Sequence, residues 1–315
     1  MKLGRNLKKL RGDASTRIFF RKKKTNTTSI IVYAYKDKKL NLLIYDAVNK
    51  ILIKNDIIAP KLLSENFSKS YIEIQDFGNQ TILSCIKKDN LNKLAILKKT
   101  INLLNKIQII RQRKIKNYKK KDYQIPIYTP QILLDEAKLF TDWYIDKKID
   151  KFKKLIFKKK FIKIVKELIK KLHFKNDTFV HRDFHISNLM KVKNMIGVID
   201  TQDALIGNKA YDVASLIDDV RFRTSINIKK RLLDYYLKSQ KNLNRQYFKN
   251  DFEIISVLRN LKIIGIFTRL SVRDKKKKYL KLIPYAWNLI KLRSKNNSKF
   301  KDLNDLLYNF TKKIK

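Results

Sequence analysis

The chain has 315 residues, which is enough for two lobes or one large domain. A hydrophobic content of 44%, including 17 Phe and 15 Tyr, excludes an intrinsically disordered chain. The formal net charge of +46 would ordinarily indicate a nucleic-acid partner, but the scarcity of Gly (6) and Pro (4) beside abundant Lys, Asn and Ile is typical of AT-rich codon usage. We therefore expect solvated lysine-rich helix faces and no specific nucleic-acid binding.

Cysteine content and hydropathy limit where the protein works. Cys85 is the only cysteine, so no intramolecular disulfide can form. Residues 1–6 lead into further charge rather than into an apolar signal region, and no uncharged apolar run of about 18 residues occurs. We expect a cytoplasmic monomer without membrane insertion.

The first 80 residues predict a small β-rich lobe. Residues 17–36 carry β-branched and aromatic residues around a polar turn, which predicts a β-hairpin. Helical spacing follows over 40–55, and Tyr71–Ile74 predicts another strand that stops before Gly78. We assign residues 1–80 to an N-terminal nucleotide-binding lobe.

Helical spacing dominates from Thr81 onward, so residues 81–315 are assigned to a C-terminal catalytic and substrate lobe. A lysine-rich surface loop is expected over Arg111–Lys121, and one short β segment within Thr178–Asp200. The predicted helices cover 91–107, 131–147, 161–172, 211–221, 228–238, 252–270, 279–292 with a possible kink at Pro284, and 303–314. This order predicts an α+β fold of two lobes.

The segment from Val180 to Asp200 carries the chemistry. Phosphoryl transfer needs a carboxylate that orients the attacking hydroxyl, and oxygen ligands for Mg²⁺. Asp183 and Asn188 fit the pattern H-R-D-x-x-x-x-N, and Asp200 ends an apolar strand. We predict Asp183 as the catalytic base and Asn188 with Asp200 as magnesium ligands. A D-x-x-x-x-N pair alone is weak evidence, and Asp183 could instead serve as a turn or cap residue.

Two of the three histidines, His181 and His185, lie in the same segment. His181 could transfer a proton, but a buried residue that shapes the loop by hydrogen bonding is the favoured interpretation. Gly197 lies just before Asp200. The occurrence of all these residues in one segment is a more specific indication of a kinase site than the spacing of Asp183 and Asn188 alone.

These motifs resemble the aminoglycoside phosphotransferase-like kinases, which share the protein-kinase fold. More narrowly, the chain is similar to the anomeric N-acetylmuramate/N-acetylglucosamine kinases of bacterial cell-wall recycling. The stretches that carry the narrower resemblance are RGDASTR at 11–17, QDFG at 75–78, EAKLFTDW at 136–143, DTQDA at 200–204 and YDVASL at 211–216. The resemblance implies a protein-kinase-like fold, ATP and Mg²⁺ as cofactors, and transfer of the γ-phosphate to an anomeric sugar hydroxyl.

The opening motif predicts a phosphate-binding turn beneath the first hairpin. Small residues after a glycine let backbone N–H groups approach phosphate oxygens, and Arg17 or Arg21 could add positive charge. A plain N-capped turn is the alternative. The predicted nucleotide-binding residues are Gly12, Asp13, Ala14, Ser15, Arg17, Lys36 and Gln75.

Two departures from the resembled patterns stand out. Lys36 ends its strand beside Asp37, where the V-A-I-K pattern of protein kinases is not matched. Thr201 replaces an aromatic residue that the narrower family tends to have.

Substrate and supporting roles are predicted for a further set of residues. The set is His181, Arg182, His185, Gln202, Asp203, Glu136 and Arg221. Three functions compete: an anomeric amino-sugar kinase, a kinase for another alcohol such as an aminoglycoside or choline, and a non-catalytic basic binding protein on a kinase-like fold. The presence of the base and both metal ligands disfavours the third.

Overall fold

The computed structural model describes residues 6–10, 17–35, 38–88, 92–147 and 150–312. The chain forms two compact units. The first unit comprises Met1–Pro126 and Thr178–Ile206, and the second comprises Ile127–Asp177 and Gly207–Lys315. The lobe boundary at residue 80 stays a prediction.

A five-stranded antiparallel sheet opens the first unit. Its strands are β1 (Leu7–Lys9), β2 (Ile18–Lys23), β3 (Thr28–Tyr33), β4 (Leu62–Asn66) and β5 (Tyr71–Gln75). They lie in the order β1-β2-β3-β5-β4. The predicted hairpin and the strand at 71–74 are confirmed as β2, β3 and β5. The edge strands β1 and β4 were not predicted, because most of their residues are exposed and show no apolar alternation.

The helix α1 (Leu40–Lys54) packs on this sheet, as the spacing over 40–55 predicts. Leu42 and Tyr45 on α1 share one buried cluster with Val32 of β3 and with Ile72 and Ile74 of β5. The first turns of α1 are therefore packed on the central strands of the sheet.

The remaining described part of the first unit contains two further helices and three pairs of short strands. The elements are α2 (Ile82–Lys88), α3 (Lys93–Gln108), β6 (Lys114–Lys116), β7 (Asp122–Gln124), β8 (Thr178–Val180), β9 (Leu189–Val192), β10 (Met195–Val198) and β11 (Leu205–Gly207), whose last residue falls in the second unit. Pairs form between β6 and β7, between β9 and β10, and between β8 and β11. The loop expected over Arg111–Lys121 was wrong in part, because β6 lies within it; a three-residue strand is too short to show alternation.

The second unit is helical. Its α-helices are α4 (Pro130–Leu139), α5 (Lys151–Lys170), α6 (Ala210–Ile217), α7 (Ile226–Ser239), α8 (Arg245–Val272), α9 (Ile283–Ser294) and α10 (Lys301–Lys312). Pro284 lies in the first turn of α9, where its missing N–H costs no hydrogen bond, so it starts this helix rather than kinking it. A 3₁₀ turn, Lys277–Leu282, precedes it.

The helix predicted over 131–147 is not one α-helix. After α4 the backbone widens into a π turn at Phe140–Tyr144 and then tightens into a 3₁₀ turn at Ile145–Lys147. Gly265 of α8 lies against this junction: a Cβ atom there would come within 2.3 Å of the Leu139 carbonyl carbon and oxygen. The close approach of α8 therefore depends on a glycine.

No helix among the described residues is both long enough and apolar enough to cross a bilayer.

Candidate active site

Hydrogen bonds join the predicted catalytic loop to the segment that carries Asp200. The loop follows β8 and contains Asp183 and Asn188, and Asp200 follows β10. The Ile199 N–H donates to the Asn188 carbonyl at 3.0 Å, and His181 Nε2 lies 3.1 Å from the Ile199 carbonyl oxygen. The first unit thus places the predicted base and both predicted metal ligands in adjoining backbone.

The catalytic loop also folds back on itself. The N–H of His185 donates to the Asp183 carbonyl at 3.0 Å, and the N–H of Asn188 donates to the His185 carbonyl at 2.8 Å. The Asn188 side chain donates its Nδ2 to the Asp183 carbonyl at 3.1 Å. Because this bond fixes the amide nitrogen, the amide oxygen is the atom of Asn188 suited to a cation.

Two of the nine described non-glycine residues with a positive φ lie at or beside the predicted reactive residues. Arg182, directly before Asp183, has a φ of +75°, and Asp200 has a φ of +65°. Non-glycine residues adopt such left-handed angles at a cost of order 1–3 kcal/mol, and these residues cluster at functional sites. One of these positions is Asp200 itself, and the other directly precedes Asp183.

Arg17 supplies a cation to the Asp200 carboxylate. Its Nη2 donates to Asp200 Oδ1 at 2.6 Å, and the Arg17 side chain is 6% exposed. Burial raises the pKa of Asp200; the Arg17 guanidinium opposes this rise, whereas the charges of Asp183 and Asp203 add to it. The Asp200 carboxylate thus lies beside one buried cation, and the negative charges of Asp183 and Asp203 also act on it.

Magnesium is the implied ion, and the described residues would supply only some of its ligands. Among them, no group of three or more His, Cys, Asp or Glu side chains is placed to hold a metal. Asn188 and Asp200 would supply two oxygen ligands, and Mg²⁺ commonly takes one or two protein oxygens with the rest from phosphates and water. The ion is thus expected only together with the nucleotide.

Thr201 connects the segment after Asp200 to α1. Its hydroxyl donates to Asn49 Oδ1 at 2.6 Å, and Asn49 Nδ2 donates to the Pro60 carbonyl at 3.0 Å. Thr201 is 0% exposed and Asn49 3%. Asn49 was not predicted from the sequence; the available sign was an asparagine one turn after Tyr45 on the apolar face of α1.

Gln202 and Asp203 extend the same segment. The Gln202 side chain is buried and donates Nε2 to Asp203 Oδ2 at 2.6 Å. Its Oε1 is buried without a hydrogen-bond partner among the described residues. A water or ligand donor is needed to satisfy that oxygen.

The predicted nucleotide-binding residues are only partly described. Gly12, Asp13, Ala14, Ser15 and Lys36 lie outside the described residues. Gln75 is exposed at the end of β5.

Arg21, suggested as a second phosphate-binding cation, is engaged elsewhere. It donates to Asp76 through Nε at 2.5 Å and Nη2 at 3.0 Å, and to the Asn79 side chain at 2.6 Å. Burial raises the pKa of Asp76, but hydrogen bonds from Arg21 and Thr28 outweigh it and hold that pKa below its ordinary value. Arg21 therefore fixes the backbone after β5.

Gly197 allows the β9–β10 hairpin to approach that same backbone. A Cβ atom on Gly197 would lie 3.0 Å from side-chain atoms of both Ile58 and Phe77. The Val198 N–H donates to the Ile58 carbonyl at 2.8 Å. This contact fixes the strand that leads to Asp200.

Glu136 and Arg221 belong to the second unit. Glu136 is buried and accepts hydrogen bonds from Tyr128, from Tyr211 at 3.1 Å and from Lys262 Nζ at 2.8 Å. Arg221 lies 3.5 Å from the Asp219 carboxylate. Their assignment to a sugar pocket stays a prediction.

The chain is similar to known phosphotransferases and kinases. The model of a family described as the phosphotransferase enzyme family matches residues 6–247. An N-acetylmuramate/N-acetylglucosamine kinase from Neisseria meningitidis serogroup B is 27% identical over 94% of this chain and 87% of its own. A protein of the same name from Pseudomonas putida is 27% identical over 86% of this chain and 78% of its own.

Among solved structures, a Plasmodium vivax ethanolamine kinase superposes with a TM-score of 0.62 at 13% identity, covering 93% of this chain and 84% of its own. At that identity the likeness concerns the fold alone. It confirms the predicted α+β kinase-like fold.

Proposed function

The chain belongs to the phosphotransferase enzyme family, and on this premise we propose that it transfers the γ-phosphate of ATP to the anomeric hydroxyl of N-acetylmuramate, N-acetylglucosamine or both. The coarser activity, an ATP-dependent phosphotransferase acting on an alcohol group, follows from the family and the kinase-named relatives. The sugar, the hydroxyl and a place in peptidoglycan recycling are the proposal.

One observation carries the catalytic part: the hydrogen-bonded junction between the Asp183 loop and the Asp200 segment. Asp183 would orient the acceptor hydroxyl and take its proton late, since the transition state of phosphoryl transfer is loose. Magnesium bound by Asn188 and Asp200 would neutralise charge developing on the transferred phosphoryl group. Arg17 would exchange its contact with Asp200 for the nucleotide phosphates.

The choice of an anomeric hydroxyl rests on the names of the relatives and on acidity. An anomeric hydroxyl is more acidic than an ordinary sugar alcohol, so a carboxylate such as Asp183 needs only to orient it. The same arrangement would serve a primary hydroxyl, and the relatives therefore carry this step. The strongly positive protein would attract the lactyl carboxylate of N-acetylmuramate and repel polycationic aminoglycosides, although salt screens charges beyond about 8–10 Å.

The direct test is a magnesium-dependent ATP-consumption screen over free N-acetylmuramate, free N-acetylglucosamine, aminoglycosides and choline. Turnover on the two amino sugars supports the proposal. Turnover confined to an aminoglycoside or choline would replace it with the second alcohol-kinase hypothesis, and no turnover on any acceptor would contradict it.

The metal assignment has a separate test in nucleotide binding. Asp200→Ala removes one ligand and the partner of Arg17, so magnesium should no longer increase ATP affinity in calorimetric titrations. Asp305→Ala is the control, because it removes an exposed carboxylate from α10, a helix that carries none of the predicted site residues. Unchanged magnesium dependence in Asp200→Ala would refute the assignment.

A further inference from the structure

The N-terminal half of α5 exposes three large apolar side chains. Phe152 is 73% exposed, Leu155 60% and Ile156 44%. They are spaced i, i+3 and i+4, which places them on one helix face. Within the described part of the chain, no other helical turn exposes three large apolar residues.

This group is not an extension of the hydrophobic core. Successive residues of an α-helix are rotated by about 100°, so the group faces about 180° away from the buried stripe of the same helix. That stripe includes Phe157 and Phe161, whose rings pack against Phe310 at 5.3 Å and Phe140 at 5.6 Å between centroids. Helix α5 therefore has two apolar faces, and the second unit uses one of them.

Positive charge continues along the exposed face. The twenty residues of α5 contain nine lysines and one acidic residue, Glu167. Lys159 and Lys163 share the direction of Phe152 and follow it by about 10 Å and 16 Å along the axis. Lys154 and Lys158, on the inner flank, instead pair with Asp146 and Asp142.

We propose that this face of α5, comprising Phe152, Leu155, Ile156, Lys159 and Lys163, docks the protein on an anionic lipid surface. A helix with apolar side chains beside lysines lies in the plane of such a surface, with the apolar group among the acyl chains and the lysines at the phosphates. Burial of the apolar group adds binding free energy that salt does not screen, whereas salt weakens the attraction between the lysines and the phosphates.

Other occupants fit less well. A second copy of the chain would bring the same lysines and a further net charge of +46 against the first. A nucleic acid would pair with the lysines but would gain little from Leu155 and Ile156, which cannot stack on bases as aromatic rings do. Docking needs no membrane-spanning helix, and the described residues contain none.

The test measures co-sedimentation of the full chain with vesicles at about 150 mM salt. Wild-type protein should bind vesicles containing phosphatidylglycerol and should not bind pure phosphatidylcholine vesicles. Phe152→Ser/Leu155→Ser/Ile156→Ser should lower the partition coefficient at least tenfold. A Phe152→Trp reporter should show a blue-shifted emission maximum on the anionic vesicles alone.

Matched variants separate docking from general attraction of a basic protein. Leu40→Ser/Ile109→Ser/Ile226→Ser removes three comparably exposed apolar residues elsewhere, at 63%, 69% and 67%, and should bind as wild type does. Lys159→Glu/Lys163→Glu should lose far more binding than Lys241→Glu/Lys249→Glu, which changes the charge equally. The proposal is overturned if wild-type protein does not bind, if the triple serine variant binds normally, or if the matched variants lose as much.

Discussion

Replacing Thr201 by Val should separate the contribution of the Thr201–Asn49 hydrogen bond from that of packing. Valine keeps the β-branched shape but removes the donor that lies 2.6 Å from Asn49 Oδ1. Asn49 remains buried and held by the Pro60 carbonyl through Nδ2, so its Oδ1 loses its donor without an escape to water. A buried acceptor left in this state costs about 1–3 kcal/mol.

We therefore expect Thr201→Val to lower the free energy of unfolding in urea by about 2 kcal/mol. Thr201→Ser keeps the donor and should recover most of that loss. In a double-mutant cycle with Asn49→Ala, the two substitutions should be coupled by at least about 0.5 kcal/mol, because they remove the two ends of one contact.

The same bond positions Asp200, the residue directly before Thr201. We expect Thr201→Val to raise the magnesium concentration needed for half-maximal ATP turnover, and Thr201→Ser to restore it. A purely structural role would lower stability and leave that concentration unchanged. Full stability in Thr201→Val, or an absent coupling in the cycle, would refute the reasoning.

Three further predictions concern the base, a helix contact and acid stability. Asp183→Asn should reduce kcat at least ~10²-fold with an unchanged circular-dichroism spectrum, since it removes the base and its charge; near-normal turnover would contradict this. Gly265→Ala should unfold several degrees lower than Ser271→Ala on the same helix, because its Cβ would meet the Leu139 carbonyl. Burial raises the pKa of Glu73, but hydrogen bonds from Lys24, Ser29 and Lys22 outweigh it and lower that pKa from 4.5 to about 2. Stability from this depressed pKa is present above pH 4.5 and lost toward pH 2, so Glu73→Gln should flatten the stability curve in that window.

The sequence predicts most of what depends on local pattern. The α1 helix, the β2–β3 hairpin and the residues of the Asp183 loop follow from apolar spacing and from a motif whose members lie close in the chain. The residues that define each of these features are close together in the sequence, so a local pattern is enough to predict them.

Features that depend on distant contacts could not be predicted. Asn49 and Thr201 are 152 residues apart, and the sequence around either residue does not indicate that the two are hydrogen-bonded. The π turn after α4 arises where Gly265, far along the chain, lets α8 approach the Leu139 carbonyl. Edge strand β4 has an exposed surface and owes its structure to pairing with β5.

The anomeric assignment is tested most directly by comparing free N-acetylglucosamine with its 1-O-methyl glycoside, which differs only in lacking a free anomeric hydroxyl. With ATP and magnesium, we expect the free sugar to yield a sugar 1-phosphate, identified by phosphorus NMR, and the methyl glycoside to yield no phosphorylated product. Phosphorylation of the methyl glycoside at the rate of the free sugar would place the transfer on another oxygen and contradict the account.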